Sequence, residues 1–189
     1  LLHGAQGKGK STFVRHLLPP ELKDYYRNGM ISPDNKDHLL QMSSCLLINL
    51  DEFDTLSPAR MQELKSLITQ DVMNERKVYD IQNYTFIRRA SFIASTNNPH
   101  CLPDIGENRR ILFNTLLEID YHTPVNHQGI YAQAYALYQQ GFQYWYENEE
   151  ITFLNNRNEA FRQKDPIEEN LFFYFRAARQ NDIQAQWYP

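Results

Sequence analysis

Eight residues near the start of the chain, Gly4-Ala5-Gln6-Gly7-Lys8-Gly9-Lys10-Ser11, fit the pattern G-x-x-x-x-G-K-[ST] without a mismatch. The pattern has a physical purpose. Glycines let a tight turn aim its backbone N–H groups inward, where they can cradle phosphate oxygens. A helix beginning at Lys10 would point the positive end of its dipole at the same spot. The Lys10 ammonium would reach the β- and γ-phosphates of a nucleotide. The Ser11 hydroxyl would ligate Mg²⁺, and Thr12 would lie beside the α-phosphate. Gly4, Gln6, Gly7, Lys8 and Gly9 complete the candidate nucleotide-binding set. The competing explanation is a glycine-rich turn with a capping lysine.

Leu46-Leu47-Ile48-Asn49-Leu50 runs into Asp51-Glu52. An acid at the carboxyl end of a buried strand can hold Mg²⁺, so Asp51 is the second metal candidate. The next acid, Glu52, can polarise an attacking water. A small-molecule kinase shares the first loop but has no need of this Glu, so the pair favours nucleotide hydrolysis. Phe92 to Thr96 is a further short apolar strand that ends in Asn97. An amide there can orient the lytic water toward the γ-phosphate. Asn98 is the other candidate, but the strand register favours Asn97. Arg109 and Arg110 precede a fourth apolar run, and one of them could project toward the nucleotide of a neighbouring subunit. A surface arginine pair is the plainer alternative.

The elements that must position these residues can be read from periodicity. Leu1 to His3 reads as the end of a strand cut short, and the chain as part of something longer. Lys10 to Leu18 is expected to be a helix stopped by Pro19-Pro20. A second short helix is expected over Glu21 to Arg27, and another over Asp34 to Met42. Cys45 to Leu50 is the pattern of a strand buried on both faces in a parallel sheet. Ser57-Pro58 caps a helix in which Met61, Leu64, Leu67, Ile68 and Val72 recur at helical spacing. Val78 to Ile87 reads as a hairpin, and Arg109 to Ile119 begins as a strand through Ile111, Leu112 and Phe113. Ile130 to Tyr146 reads as a long aromatic-rich helix, its aromatics packing as core or lid rather than as a base-stacking surface. Asp165-Pro166 starts a last helix. The expected fold class is α/β, a parallel sheet in a three-layer α/β/α core over residues 1–121. A helical lid or tail follows over residues 122–189.

The 189 residues suffice for one domain with its own core, built with 11 Phe and 12 Tyr. The formal net charge of -4 excludes a broadly basic nucleic-acid binder, so any such contact must use a local patch. The two cysteines, Cys45 and Cys101, give no disulfide framework and point to a reducing compartment. No apolar run approaches the ~20 residues of a membrane span, so no membrane partner is expected.

The same features, in this order, resemble the AAA+ superfamily and the superfamily 3 helicase-like ATPases. They are most similar to the virulence-associated protein E family of phages and mobile elements. The residues that carry the resemblance are the loop from Gly4 to Phe13, the Leu-Pro exit at Leu17 to Pro20, and Asp51 to Asp54. Leu64-Lys65, Arg76 to Tyr79, Arg88 to Asn97 and Leu102 to Arg110 complete it, the last with one extra residue after Gly106. The resemblance implies a P-loop ATPase using ATP and Mg²⁺, in the cytoplasm of a bacterial host. Its implied setting is replication of a mobile element beside a primase, in a hexamer-like ring.

In superfamily 3 rings a hairpin at the place of Val78 to Ile87 enters the pore. Lys77, Tyr79, Arg88 and Arg89 are the DNA-contact candidates there, basic residues interleaved with aromatics. An edge hairpin with solubilising charges explains them equally well. Arg88 and Arg89 also suit the nucleotide site or a subunit contact. Two functions stay open: an ATPase motor on single-stranded or forked DNA, and an ATP-switched assembly or primase-recruiting module.

Overall fold

A computed structural model describes residues 1–32, 35–76, 83–102, 108–163 and 166–175 of the chain. Its strands are β1 (Leu2–His3), β2 (Tyr26–Asn28), β3 (Leu47–Leu50), β4 (Val72–Arg76), β5 (Asn83–Ile87), β6 (Ser91–Thr96) and β7 (Asn114–Thr115). Five of them form one sheet in the order β2-β3-β6-β1-β7, and every neighbouring pair is parallel. The fold class is therefore α/β. β4 and β5 form a separate antiparallel hairpin.

β3 is buried at all four positions, as expected for a strand covered on both faces. Ile48 and Leu50 join a core that also takes Leu39 and Met42 from α2 (Lys36–Ser44). Met61, Leu64 and Leu67 enter it from α3 (Pro58–Leu67). Each such side chain contributes roughly 1.5–3 kcal/mol by leaving water. The helix starts follow local chemistry. Asn35 caps α2 by accepting from the Asp37 N–H at 3.0 Å, and Ser57 caps α3 by accepting from the Arg60 N–H at 3.4 Å. α1 (Lys10–Arg15) buries Val14 and packs on β3 and β6.

Several boundaries depart from the sequence expectation. α1 ends at Arg15 rather than Leu18. Glu21 to Arg27 is not an α-helix: Pro20–Tyr25 is a 3₁₀ turn, and Tyr26–Asn28 is an edge strand paired with β3. Strand pairing takes those residues, and a local pattern cannot register that. Val72 lies in β4, not in the helix before it. A turn at Ile68 and Thr69 intervenes, with the Gln70 N–H on Leu67 O at 3.1 Å, and the Arg88 N–H then joins the Asp71 carbonyl at 2.9 Å at the base of the hairpin. Ile111 and Phe113 are buried but irregular, and the strand itself is Asn114–Thr115.

The last three helices are α4 (His127–Gln139), α5 (Glu149–Glu159) and α6 (Pro166–Tyr174). α4 stops earlier than expected because Gly141 adopts φ 72°. The Gly141 N–H bonds Tyr138 O and the Phe142 N–H bonds Leu137 O, both at 3.0 Å, a double closure that ends a helix. Contrary to the core-packing expectation, α4 buries no residue, and Tyr135, Tyr138 and Tyr144 are exposed. α5 is different. It buries Leu154 and Asn158, and just beyond it the Phe161 ring stacks on Phe113 at 3.7 Å. No helix among the described residues is long and apolar enough to cross a membrane.

Candidate functional site

Parallel strands place their carboxyl ends along one edge, and three of the candidate segments begin there. Gly4 follows β1, Asp51 follows β3 and Asn97 follows β6. The register sets His3 beside Thr96 and Leu50 beside Ala94, so Gly4, Asp51 and Asn97 leave the sheet together. In open α/β sheets this edge is where ligands bind. The Gly4 N–H also bonds Thr96 O at 3.3 Å, fixing the loop to β6.

Gly7 (φ 79°) and Gly9 (φ 78°) carry the left-handed turns of the loop, which a side chain would strain. The loop delivers the chain to α1 with Lys10 buried beneath it. Lys10 Nζ donates to Gly4 O at 2.6 Å, Ala5 O at 2.9 Å and Asn97 Oδ1 at 2.7 Å. Burial lowers its pKa, and the Asp51 and Asp54 carboxylates offset part of that. Asn98 turns elsewhere and accepts from the His100 N–H at 2.9 Å.

Asp51 is a hydrogen-bond hub. Ser95 Oγ donates to its Oδ1 at 2.6 Å, and Ser11 Oγ donates to its Oδ2 at 3.2 Å. Asn28 Nδ2 and the Glu52 N–H add longer bonds at 3.5 and 3.3 Å. Burial alone would raise the Asp51 pKa. The four donors reverse that and hold the carboxyl below the usual range, an anion at neutral pH. Glu52 is exposed and sits at φ 55°, one of two non-glycine residues with positive φ among those described. Thr55 holds that turn, its N–H and Oγ both donating to Glu52 O, at 3.0 and 2.8 Å.

Lys10, Ser11, Asp51, Glu52, Ser95 and Asn97 line one cavity of about 630 Å³, together with Gln6, Lys8, Thr12, Asp54 and Thr96. Its size is that of a small-molecule site. Among the described residues no group of three or more His, Cys, Asp or Glu could hold a metal by itself. Ser11 and Asp51 offer adjacent oxygens instead. That suits Mg²⁺, which takes few protein ligands and completes its shell with water and phosphate.

Arg109 and Arg110 are not brought to this cavity. They are exposed on a turn closed by the Ile111 N–H on Asn108 O at 3.0 Å. Two buried side chains clamp the turn. Lys65 Nζ donates to Asn108 Oδ1 at 2.7 Å, and Asn158 Nδ2 donates to Asn108 O and Ile111 O at 3.0 and 2.7 Å. Of the DNA candidates, Arg88 is engaged within the fold. Its guanidinium donates to Gln70 O and Ala90 O, both at 2.9 Å, and pairs with Asp71 at 3.2 Å. Arg89 is exposed, and Lys77 and Tyr79 lie outside the described residues.

Ser95, Asn28 and Tyr121 are among the site residues that the sequence candidates do not include. Ser95 was legible, since strand alternation puts it on the same side as Asn97. Asn28 was hidden by the helix expected over its strand. Tyr121, which lines the cavity from beyond β7, had no local signal at all.

A family model for the virulence-associated protein E-like domain matches residues 1–163. No curated protein matches the chain. Among solved structures, an A-form apo structure of the NrS-1 C-terminal region, CTR(305-718), is similar at 17% identity. The match covers 85% of this chain and 33% of that one, with a TM-score of 0.39. A second structure of the same region matches at 21% identity over 85% of this chain and 34% of that one, with a TM-score of 0.38. The chain thus spans about a third of the length of these structures.

Proposed function

Because the chain belongs to the virulence-associated protein E-like domain family, we propose that it is a Mg²⁺-dependent P-loop ATPase of the AAA+ type. Residues 1–121 carry its proposed catalytic groups, and α4, α5 and α6 follow them, α5 packing back through Leu154 and Asn158. Its setting is replication of a phage or mobile element, as in the superfamily 3 helicases. One observation carries the reading. Lys10, Ser11, Asp51 and Asn97 come from three strand ends and meet within hydrogen-bond reach at the mouth of a glycine-rich loop.

The roles follow from the chemistry of each group. Lys10 exchanges its bonds to the Gly4 and Ala5 carbonyls for phosphate oxygens and neutralises charge that grows during transfer. Ser11 and Asp51 hold the metal, and Ser95 and Asn28 keep Asp51 ionised and aimed. Bound Mg²⁺ supplies further charge neutralisation at the phosphates. Asn97 orients water, and Glu52 accepts its proton as the oxygen attacks the γ-phosphorus and ADP leaves. Arg109 or Arg110 acts across a subunit boundary. The exposed, clamped turn that carries them away from their own cavity supports that role.

A second reading, an ATP-switched assembly or primase-recruiting module, gains support from Arg88. Its three internal bonds leave less of the hairpin's positive charge for DNA. Steady-state ATP hydrolysis with and without single-stranded DNA separates the two. Stimulation by DNA is the motor's signature, and indifference the switch's. Glu52→Gln is expected to keep ATP binding and lose turnover by roughly 10²–10⁴-fold. Undiminished hydrolysis in that variant would remove the role given to Glu52.

A further inference from the structure

The side chains that line the cavity are polar or charged apart from one ring. Lys10, Asp51, Glu52, Ser95 and Asn97 supply charge and hydrogen bonds, and Tyr121 is the aromatic side chain on its wall. The Tyr121 ring rests on the loop itself. A Cβ built on Gly9 would meet its Cδ1 at 2.1 Å. The ring is held there by a built turn. Asp120 Oδ1 accepts from the His122 and Thr123 N–H groups, both at 3.0 Å, and Thr123 Oγ1 bonds Asp120 Oδ2. The His122 ring backs Tyr121 at a centroid distance of 4.2 Å. A phosphate-binding loop needs no aromatic group for phosphate alone. A half-buried ring fixed beside it suits a ligand whose phosphates continue into a flat, apolar body.

We propose that Tyr121, backed by His122, is the stacking wall for the base of a nucleoside triphosphate bound at the Gly4–Thr12 loop. The proposal rests on the nucleotide reading of that loop and adds its ligand class. Stacking on a phenol ring needs a π-face and does not discriminate among bases that have one. ATP and GTP are therefore expected to bind with similar affinity, and both more tightly than inorganic tripolyphosphate, which has no base.

The test is titration calorimetry of the whole chain with Mg²⁺·ATP, Mg²⁺·GTP and Mg²⁺·tripolyphosphate, with far-UV circular dichroism as the folding control. Tyr121→Leu keeps an apolar group on Gly9 without the π-face, and Tyr121→Phe keeps the face. In Tyr121→Leu, ATP affinity should fall by roughly 5- to 150-fold, the worth of one stacked base. Tripolyphosphate affinity should hold, and Tyr121→Phe should bind ATP like the wild type. Equal losses for ATP and tripolyphosphate would overturn the proposal, since the ring would then only prop the loop. So would a Tyr121→Leu protein that binds ATP normally. A wild-type chain that binds tripolyphosphate as tightly as ATP overturns the stacking wall and leaves the phosphate loop standing. A wild-type chain that binds none of the three overturns the nucleotide reading and the proposal with it.

Discussion

Adding one methyl group to Gly9 should cost far more than adding it to Gly7, although the two have nearly the same positive φ. Gly7 sits at φ 79° with nothing within 4 Å of a built Cβ. Ala there bears only the left-handed penalty of about 1–2 kcal/mol, reduced by about 0.4–1 kcal/mol from a stiffer unfolded chain. The net cost is about 1 kcal/mol. Gly9, at φ 78°, bears the same strain and a collision. Its Cβ would lie 2.1, 2.5 and 2.6 Å from three Tyr121 ring carbons, where contact distance is about 3.5–4.0 Å. The ring or the loop must move by more than an ångström, and overpacking of this kind costs about 1–3 kcal/mol. Gly9→Ala should thus lose about 2–4 kcal/mol in equilibrium urea unfolding. In a Tyr121→Ala background the same substitution should fall back to the Gly7→Ala value, a coupling of about 1–3 kcal/mol. If Gly9→Ala is no worse than Gly7→Ala, or if its penalty survives the loss of Tyr121, the ring does not rest on the loop.

Three further outcomes follow from single residues. Glu52→Gly should raise the unfolding midpoint by releasing about 1 kcal/mol of left-handed strain, while removing the group proposed to take the water's proton. A less stable Glu52→Gly protein would contradict the strain argument. Asp51 has a folded pKa below the ordinary carboxylate value, so its contribution is present above about pH 4 and is lost as pH falls through the lower folded value. Ser95→Ala should shrink that loss in acid unfolding curves. Burial pushes the Cys101 thiol up to about 11, so at pH 8 its ionised fraction is about a hundredfold below that of a free thiol. Its alkylation rate should track global unfolding, and rapid labelling of the folded chain would contradict the burial.

The parts of the molecule that were legible in sequence are those specified by local pattern. Leu47 to Leu50 reads as a buried strand because parallel sheets cover both faces. The glycine spacing marks the loop because positive φ is a local demand. Ser57-Pro58 and Gly141 mark helix ends, the first by its capping pair and the second by a positive φ. Tyr26 to Asn28 was illegible because three residues become a strand only by pairing with β3. Tyr121 was illegible because its place on Gly9 is set by the path of β7, far along the chain. The aromatic spacing after Ile130 identifies a helix, but the expectation that its aromatics pack as core fails, because spacing along one helix does not register whether another element covers its face. Arg88 looked like a surface cation, and only the closing of the hairpin base gives it three internal partners.

If the Gly4–Ser11 loop is a nucleotide site, Lys10 must contribute directly to binding. Titration calorimetry of Mg²⁺·ATP into the wild-type chain and into Lys10→Ala tests this directly. The wild type should bind saturably at one site per chain. Lys10→Ala should bind at least roughly tenfold more weakly, because a charge-assisted hydrogen bond to phosphate contributes about 1.5–3 kcal/mol. Absence of binding by the wild type, or equal binding by both proteins, would contradict the account.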